Sequence, residues 1–292
     1  MKPAAFEYVC AESVEHAVKA LAGAGGDGKV LAGGQSLMPM MNFRLVKPSV
    51  LVDINRIPGL DLIQSRGNRI VLGALVRHRM TASDKLIETH CPVVHEAMKH
   101  VAHLTVRNRG TFCGSICHAD SAAEMPMIAL LLNGTMKIAS PLGSRVITAK
   151  DFFVGSLVTA LESEELVTEI EIDSLPQGSG WGFAEFSRRH GDYALAAAAI
   201  TLQKIDGVAA NVKVALMGVG EVPVRATVVE KMLEGREIKQ TLLDAAVDAL
   251  RAELEPTTDL NASADYRRHL AGSLLRNVAF EAWGKAAAGG RA

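Results

Sequence analysis

Aromatic residues make up only 4% of this 292-residue chain, so its core has to be aliphatic, and a planar ligand would find few rings to stack on. An excess of charge of either sign is also missing. Lys and Arg number 31 against 32 Asp and Glu, which leaves no basic surplus to attract nucleic acid. No run of about 18 apolar residues occurs, so no membrane span is expected. The opening MKPAAFEYVCAES lacks the apolar stretch of a secretory signal, and a cytoplasmic location follows as the expectation. The four cysteines, Cys10, Cys91, Cys113 and Cys117, are expected to be free thiols. Cys113 and Cys117 stand four apart, but neither of the others completes a four-ligand set for zinc or an iron–sulfur cluster. His95, His100 and His103 are read as solvated or interface histidines on one helix without a carboxylate partner, so no metal site is assigned. No Ser–His, Cys–His or paired-carboxylate pattern stands out, and no catalytic residue is assigned. Gly218-Val219-Gly220 lacks the third glycine of a dinucleotide fingerprint.

The length suggests two or three subdomains. Residues 1–55 read as β-α-β-loop-β, with a helix over 13–21, where Val14, Ala17, Val18 and Leu21 recur at helical spacing, and strands at 29–32 and 49–54. Residues 56–176 open with a strand at 70–73, then a helix after Thr81 and Ser83 and another over 92–103. Ser121-Ala122-Ala123-Glu124 has the form of a capping box at the head of an apolar helix that stops at Gly134. Two strands around 141–144 and one over 166–172 close this part. Pro176-Gln177-Gly178-Ser179-Gly180 reads as a linker. From 181 to 292 come strands near 182–188, 193–203 and 210–219, then helices near 225–234, 240–254 and 263–286. The alanine run 194–199 has helical propensity, but Asp206-Gly207 between two apolar runs is a hairpin signal and decides for strand. No internal repeat or low-complexity segment is present.

Two glycine elements carry the functional signal. In Val30-Leu31-Ala32-Gly33-Gly34-Gln35-Ser36-Leu37 a β-type run breaks into two glycines followed by polar residues. Such a turn lets backbone N–H groups approach an anion. The second element is Thr111-Phe112-Cys113-Gly114-Ser115, followed by an acidic pair, Asp120 and Glu124. Two phosphate cradles suggest one ligand with two phosphates.

The segments GGQSLMPMMNFRL and TVRNRGTFCGSICHADSAAEMP, followed by RRHGDYALAAAA, resemble the FAD-binding medium subunits of molybdenum hydroxylases, enzymes of the xanthine dehydrogenase, carbon monoxide dehydrogenase and quinoline oxidoreductase type. The resemblance runs from Phe6 to the last helix. It implies an α+β fold, with a two-subdomain FAD-binding domain of the PCMH type followed by a C-terminal domain of three-stranded antiparallel sheet plus helices. It also implies roles for particular residues. Gly33, Gly34, Gln35 and Ser36 would hold the FAD pyrophosphate, with Ala32 and Leu37 against the cofactor, and Thr111, Gly114 and Ser115 would form the second hold. Asp120 and Glu124 would accept from ribityl or ribose hydroxyls, although Glu124 has a competing place in the capping box. Val101 and Ala102 would border the flavin ring, Leu166 would touch the adenine or ring edge, and Tyr193 would shield one ring face, unless it is a buried core tyrosine. Gln35 cannot form the covalent bond that a histidine makes in the equivalent loop of some flavoproteins, so FAD is expected to be non-covalent. Cys113 stands where the family pattern T-x-G-G-[SN] has its first glycine; were positive φ required there, cysteine would be strained by about 1–2 kcal/mol.

The implied role is electron transfer: FAD takes electrons from [2Fe–2S] clusters of a small subunit, in a complex whose large subunit carries molybdopterin, and passes them to an external acceptor. A dimer of heterotrimers is the expected assembly. Two other readings stay open at this point. One is a stand-alone FAD oxidoreductase acting on a small substrate, and the other is a scaffold that has lost FAD.

Overall fold

The computed structural model describes residues 1–289; the last three residues of the expected C-terminal part, 290–292, lie outside the described residues. The chain forms three sheet-bearing parts. In the first, β1 (Glu7–Cys10), α1 (Val14–Gly23), β2 (Gly28–Leu31), α2 (Leu37–Asn42) and β3 (Val50–Asp53) build a parallel sheet of order β1-β3-β2. The Ser13 hydroxyl caps α1 by accepting from the His16 N–H at 3.1 Å, and Ala17, Val18 and Leu21 turn inward as their spacing requires. The segment expected as plain loop contains the short α2. Its one proline, Pro39, falls in the first turn, where a missing N–H breaks no helix bond.

The second part runs through β4 (Ile63–Arg66), β5 (Arg69–Gly73), α3 (His78–Ser83), α4 (Lys85–His90), α5 (Pro92–Met98), α6 (Leu104–Arg107), α7 (Phe112–His118), α8 (Glu124–Leu131), β6 (Thr135–Ser140), β7 (Gly143–Thr148), α9 (Ala149–Phe152), the small hairpin β8 (Phe153–Gly155) and β9 (Val158–Thr159), and β10 (Leu166–Asp173). Its sheet is antiparallel, order β4-β5-β10-β6-β7. Two expectations are corrected here. The helix read over 92–103 stops at Met98; Ala102 takes positive φ (41°), and the chain turns before α6. The capping box does not form. Asp120 Oδ1 accepts from the Ala122 N–H at 2.9 Å, and the Asp120 carbonyl from the Ala123 N–H at 3.1 Å, so a turn uses up the segment and α8 starts only at Glu124. Glu124 is thus the first helical residue and not the third, too early to reach back to a serine cap.

The third part holds β11 (Gly180–Ser187), β12 (Ala194–Ile205), β13 (Val208–Met217), β14 (Val224–Arg225), α10 (Thr227–Leu233), α11 (Gln240–Glu253), α12 (Ala264–Lys285) and β15 (Ala288–Gly289). Its sheet has five strands and not the expected three: to the antiparallel run β11-β12-β13 the two-residue strands β14, beside β13, and β15, parallel to β12, are added, each too short to leave a period in the sequence. The alanine run is strand. Asp206 (φ 51°) and Gly207 (φ 79°) make a two-residue turn with both φ positive, as the twist of a tight hairpin demands. Residues 194–202 of β12 are all buried because the strand is covered on both faces. Ala197 and Ala199 join the core shared with α8 and the second part, while Ala196, Ala198, Ile200 and Leu202 face the core under α10–α12. The expected linker closes up at its end: a Cβ on Gly180 would stand 2.8 Å from the Ala282 carbonyl carbon of α12.

Candidate FAD site

The first glycine loop leaves β2 at Leu31 and enters α2 at Leu37. Its two glycines are needed for different reasons. Gly34 sits at φ 72°, the left-handed region that a side chain disfavours. Gly33 has an ordinary φ, but a Cβ there would strike the Arg109 carbonyl and come within 2.7 Å of Gly110 Cα. The first loop therefore lies directly against the second. The Gln35 amide donates to the Gly33 carbonyl at 3.3 Å, and the Ser36 hydroxyl makes no capping bond to α2.

The second loop is the start of α7. Thr111 caps it, its Oγ1 accepting from the Gly114 N–H at 3.0 Å, and a Cβ on Gly114 would fall 2.5 Å from that same oxygen. Threonine and glycine three residues apart are thus one device. The Phe112 N–H is taken by the Val76 carbonyl at 2.9 Å, which leaves the Cys113 N–H as the first-turn donor without an intrahelical partner. Cys113 itself is the second residue of α7 and is absent from the positive-φ positions. The strain expected there does not exist. Its buried thiol lies against the Leu72 and Gly73 carbonyls at 3.7 Å, and burial pushes it well above the usual thiol range. Burial likewise pushes Cys117 up to about 12, so both are inert thiols in the site wall.

Between the loops opens a cleft of about 800 Å³. Ala32, Gly33, Gly34, Gln35, Ser36 and Leu37 line it on one side and Thr111, Gly114 and Ser115 on the other; Val101, Ala102, Glu124, Leu166 and Tyr193 complete the wall. Of the fifteen residues singled out in the sequence, Asp120 alone does not line it. Its carboxylate lies within reach of the Tyr193 hydroxyl. Desolvation of that hydroxyl, then Asp120 and Glu124, push the phenol up to about 12. The Tyr193 residue is 61% exposed, which rules out the buried-core alternative. It is presented by Gly191, which has φ 88° and packs so closely that a Cβ would lie 2.7 Å from His103 Nδ1.

The electrostatics follow from burial. Desolvation pushes Glu124 up to about 7, with Glu185 adding to the rise. His100 does have a carboxylate partner, contrary to the sequence reading. Its Nδ1 lies 3.4 Å from Glu185 Oε1, which raises the imidazole, while Glu185 Oε2 is buried without a partner. His78, also in the cleft wall, is driven down to about 4 by burial and then by Arg107 and Arg77, and so stays neutral.

Several lining residues escaped the sequence reading, among them His78, Val106 and the β8–β9 hairpin with Leu157, Val158 and Thr159. The hairpin had a readable signal in Phe153-Val154-Gly155-Ser156-Leu157-Val158, two short apolar runs around Gly-Ser. His78 had none, because what makes it part of the cleft is the packing of Gly110 against its ring.

The arrangement suits a dinucleotide: backbone where a Cβ would intrude, a free first-turn N–H, an aliphatic wall and acceptors at one end. Residues 4–174 match the family described as the FAD binding domain in molybdopterin dehydrogenase, and residues 181–282 match the CO dehydrogenase flavoprotein C-terminal domain. The chain is 40% identical over 280 residues to the 6-hydroxypseudooxynicotine dehydrogenase complex subunit alpha of Paenarthrobacter nicotinovorans, covering 95% of this chain and 94% of that one. It is 35% identical over 287 residues to the carbon monoxide dehydrogenase medium chain of Hydrogenophaga pseudoflava, covering 98% and 100%. Among solved structures, carbon monoxide dehydrogenase from Hydrogenophaga pseudoflava superposes with a TM-score of 0.96 at 36% identity (98% and 100% covered). Quinoline 2-oxidoreductase from Pseudomonas putida 86 superposes with 0.93 at 37% (97% and 99% covered). The chain belongs to the family of FAD-binding medium subunits of molybdenum-containing dehydrogenases, and is an oxidoreductase component of that class.

Proposed function

We propose that this chain binds one non-covalent FAD in the cleft and serves as the electron-transfer module of a complex with a small [2Fe–2S] subunit and a large molybdopterin subunit, assembled as a dimer of heterotrimers in the cytoplasm. The working units are residues 1–55, 56–176 and 181–292. When bound, FAD supplies the redox chemistry, taking electrons from the iron–sulfur clusters and handing them to an external acceptor. The chain's own residues bind and orient. Backbone groups of Gly33, Gly34 and the Thr111–Ser115 turn, with the Ser36 hydroxyl, hold phosphate; Ala32, Leu37 and Leu166 supply apolar wall; Glu124 accepts from sugar hydroxyls, and Asp120, outside the cleft wall, acts through the Tyr193 hydroxyl it faces; Val101, Ala102 and Tyr193 bound the ring. The observation that carries this reading is that two glycine loops about 75 residues apart in sequence converge on one cleft, with fourteen of the fifteen expected residues lining it.

Two measurements test it. The purified complex should release intact FAD on acid treatment and contain iron and molybdenum; flavin retained by the denatured chain rejects the non-covalent site, and flavin without either metal favours a stand-alone oxidoreductase. Gly34→Val places a branched side chain at φ 72° and should abolish FAD binding while leaving the circular dichroism spectrum near native. Full occupancy in that variant would remove the first loop from the site.

A further inference from the structure

The two glycine loops belong to different parts of the fold and meet where Gly33 lies on Arg109 and Gly110. Two side chains that no motif contains tie them together from the rim. Asn55 follows β3. Its amide Nδ2 donates to the Ala32 carbonyl at 2.9 Å, immediately before Gly33, and to Asp53 Oδ1 at 2.6 Å. Its Oδ1 accepts from Arg77 Nη2. The other arm of the same guanidinium, Nη1, donates to the Arg109 carbonyl at 2.5 Å, the oxygen that a Cβ on Gly33 would strike. Arg77 is also joined to the second loop through its backbone, by a β-bridge to Thr111. Asp53 anchors the far end, accepting the Asn55 N–H at 2.8 Å and the Tyr8 hydroxyl at 2.5 Å.

The path Ala32–Asn55–Arg77–Arg109 is therefore a side-chain bridge from one loop to the other. The flat, two-armed guanidinium suits the place because it holds both acceptors in one fixed geometry, which an ammonium on a flexible stem cannot. Bonds at an exposed rim contribute little to global stability. Their geometric consequence is larger, since a displacement of about 1 Å at a binding group is enough to degrade a site.

We infer that Asn55 and Arg77 are positioning residues that set the separation of the two glycine loops, and with it the grip of the cleft on a ligand whose two phosphates touch both. The inference rests on the FAD assignment. A ligand reaching one loop does not sense the spacing, whereas one spanning both does.

The test uses the full chain with its flavin removed, titrated with FAD and with FMN by flavin fluorescence. Asn55→Ala and Arg77→Met should each raise the Kd for FAD at least tenfold, and that for FMN less than threefold. The double variant should bind FAD about as weakly as the weaker single one, because the pair acts as one bridge. Arg77→Lys, which can serve one acceptor at a time, should recover part of the loss. Unchanged FAD affinity in Asn55→Ala, losses that multiply in the double variant, or equal losses for FAD and FMN would each overturn the inference. Asn55 is exposed, so its variant carries the test even if Arg77→Met unfolds. A native chain that binds no FAD overturns the functional reading instead.

Discussion

At the scale of the residue, identity and role often part company. Cys113 breaks the glycine pattern of related chains, yet it is buried, helical and bonded through sulfur to Leu72 and Gly73. Cys113→Gly consequently relieves nothing. It places glycine inside a helix and empties a buried site, and should cost about 1–2 kcal/mol in urea unfolding, with FAD affinity unchanged within a factor of two; tighter FAD binding would restore the strain argument. Glu124 gives a pH signature in the flavin-free protein. Burial raises its folded pKa to about 7 from the ordinary 4.5, so the native state holds the proton more firmly than the unfolded chain. That contribution is complete below about pH 4.5 and is lost as pH rises through 7. Glu124→Gln should therefore match the native protein at pH 4 and exceed it at pH 8 by roughly 3 kcal/mol, about 1.4 kcal/mol for each unit of the rise. Thermal melts at the two values check the sign, and a variant less stable at pH 8 contradicts it.

At the scale of the element, the second glycine loop is a helix start before it is anything else. Thr111 and Gly114 match the spacing because the threonine oxygen needs the glycine N–H and leaves no room for a side chain on it. Thr111→Ala should destabilise the protein by about 1 kcal/mol through loss of the cap. It should also weaken FAD binding, since the first turn that carries the free Cys113 N–H would fray. Isothermal titration beside a urea melt separates the two effects, and loss of stability with intact FAD affinity would reduce Thr111 to a structural cap. The capping box at Ser121–Glu124 failed for a local reason: Asp120 reaches the Ala122 N–H first, since an aspartate two residues before a donor closes a turn on its own. The hairpin at Asp206-Gly207 was legible because its chemistry is confined to two residues that tolerate positive φ.

At the scale of the molecule, no unit is sealed from the next. Phe183, Ala194, Ala197, Ala199, Ala215 and Met217 of the third part belong to the same core as α8 and the first two parts. Helix α8, buried along Met125–Leu131, lies between α5, α7 and α9 of its own part and strands β12, β13 and β14 of the C-terminal sheet. A fragment of residues 1–176 should accordingly keep secondary structure but lose near-ultraviolet dichroism and bind ANS, the behaviour of a loosely packed state. A cooperative, ANS-silent fragment would show that the shared core is dispensable. Among the described residues no helix is long and apolar enough to cross a membrane.

Sequence alone determined what depends on neighbours along the chain: the helix over Ala17, Val18 and Leu21, the alanine strand turned at Asp206-Gly207, and the two glycine loops with Thr111, Gly114 and Ser36 in place. Periodicity, turn chemistry and close backbone approach are written in a few consecutive residues. Tertiary structure decided what depends on residues far apart. It put the Arg109 carbonyl against Gly33, drew Glu185 to His100, buried Glu124 until its proton is held near neutrality, and made Asn55 and Arg77 a bridge. No local pattern encodes those meetings. They arise because the folded core fixes which loops share a cleft, and desolvation within it, not residue type, sets the strength of each charge.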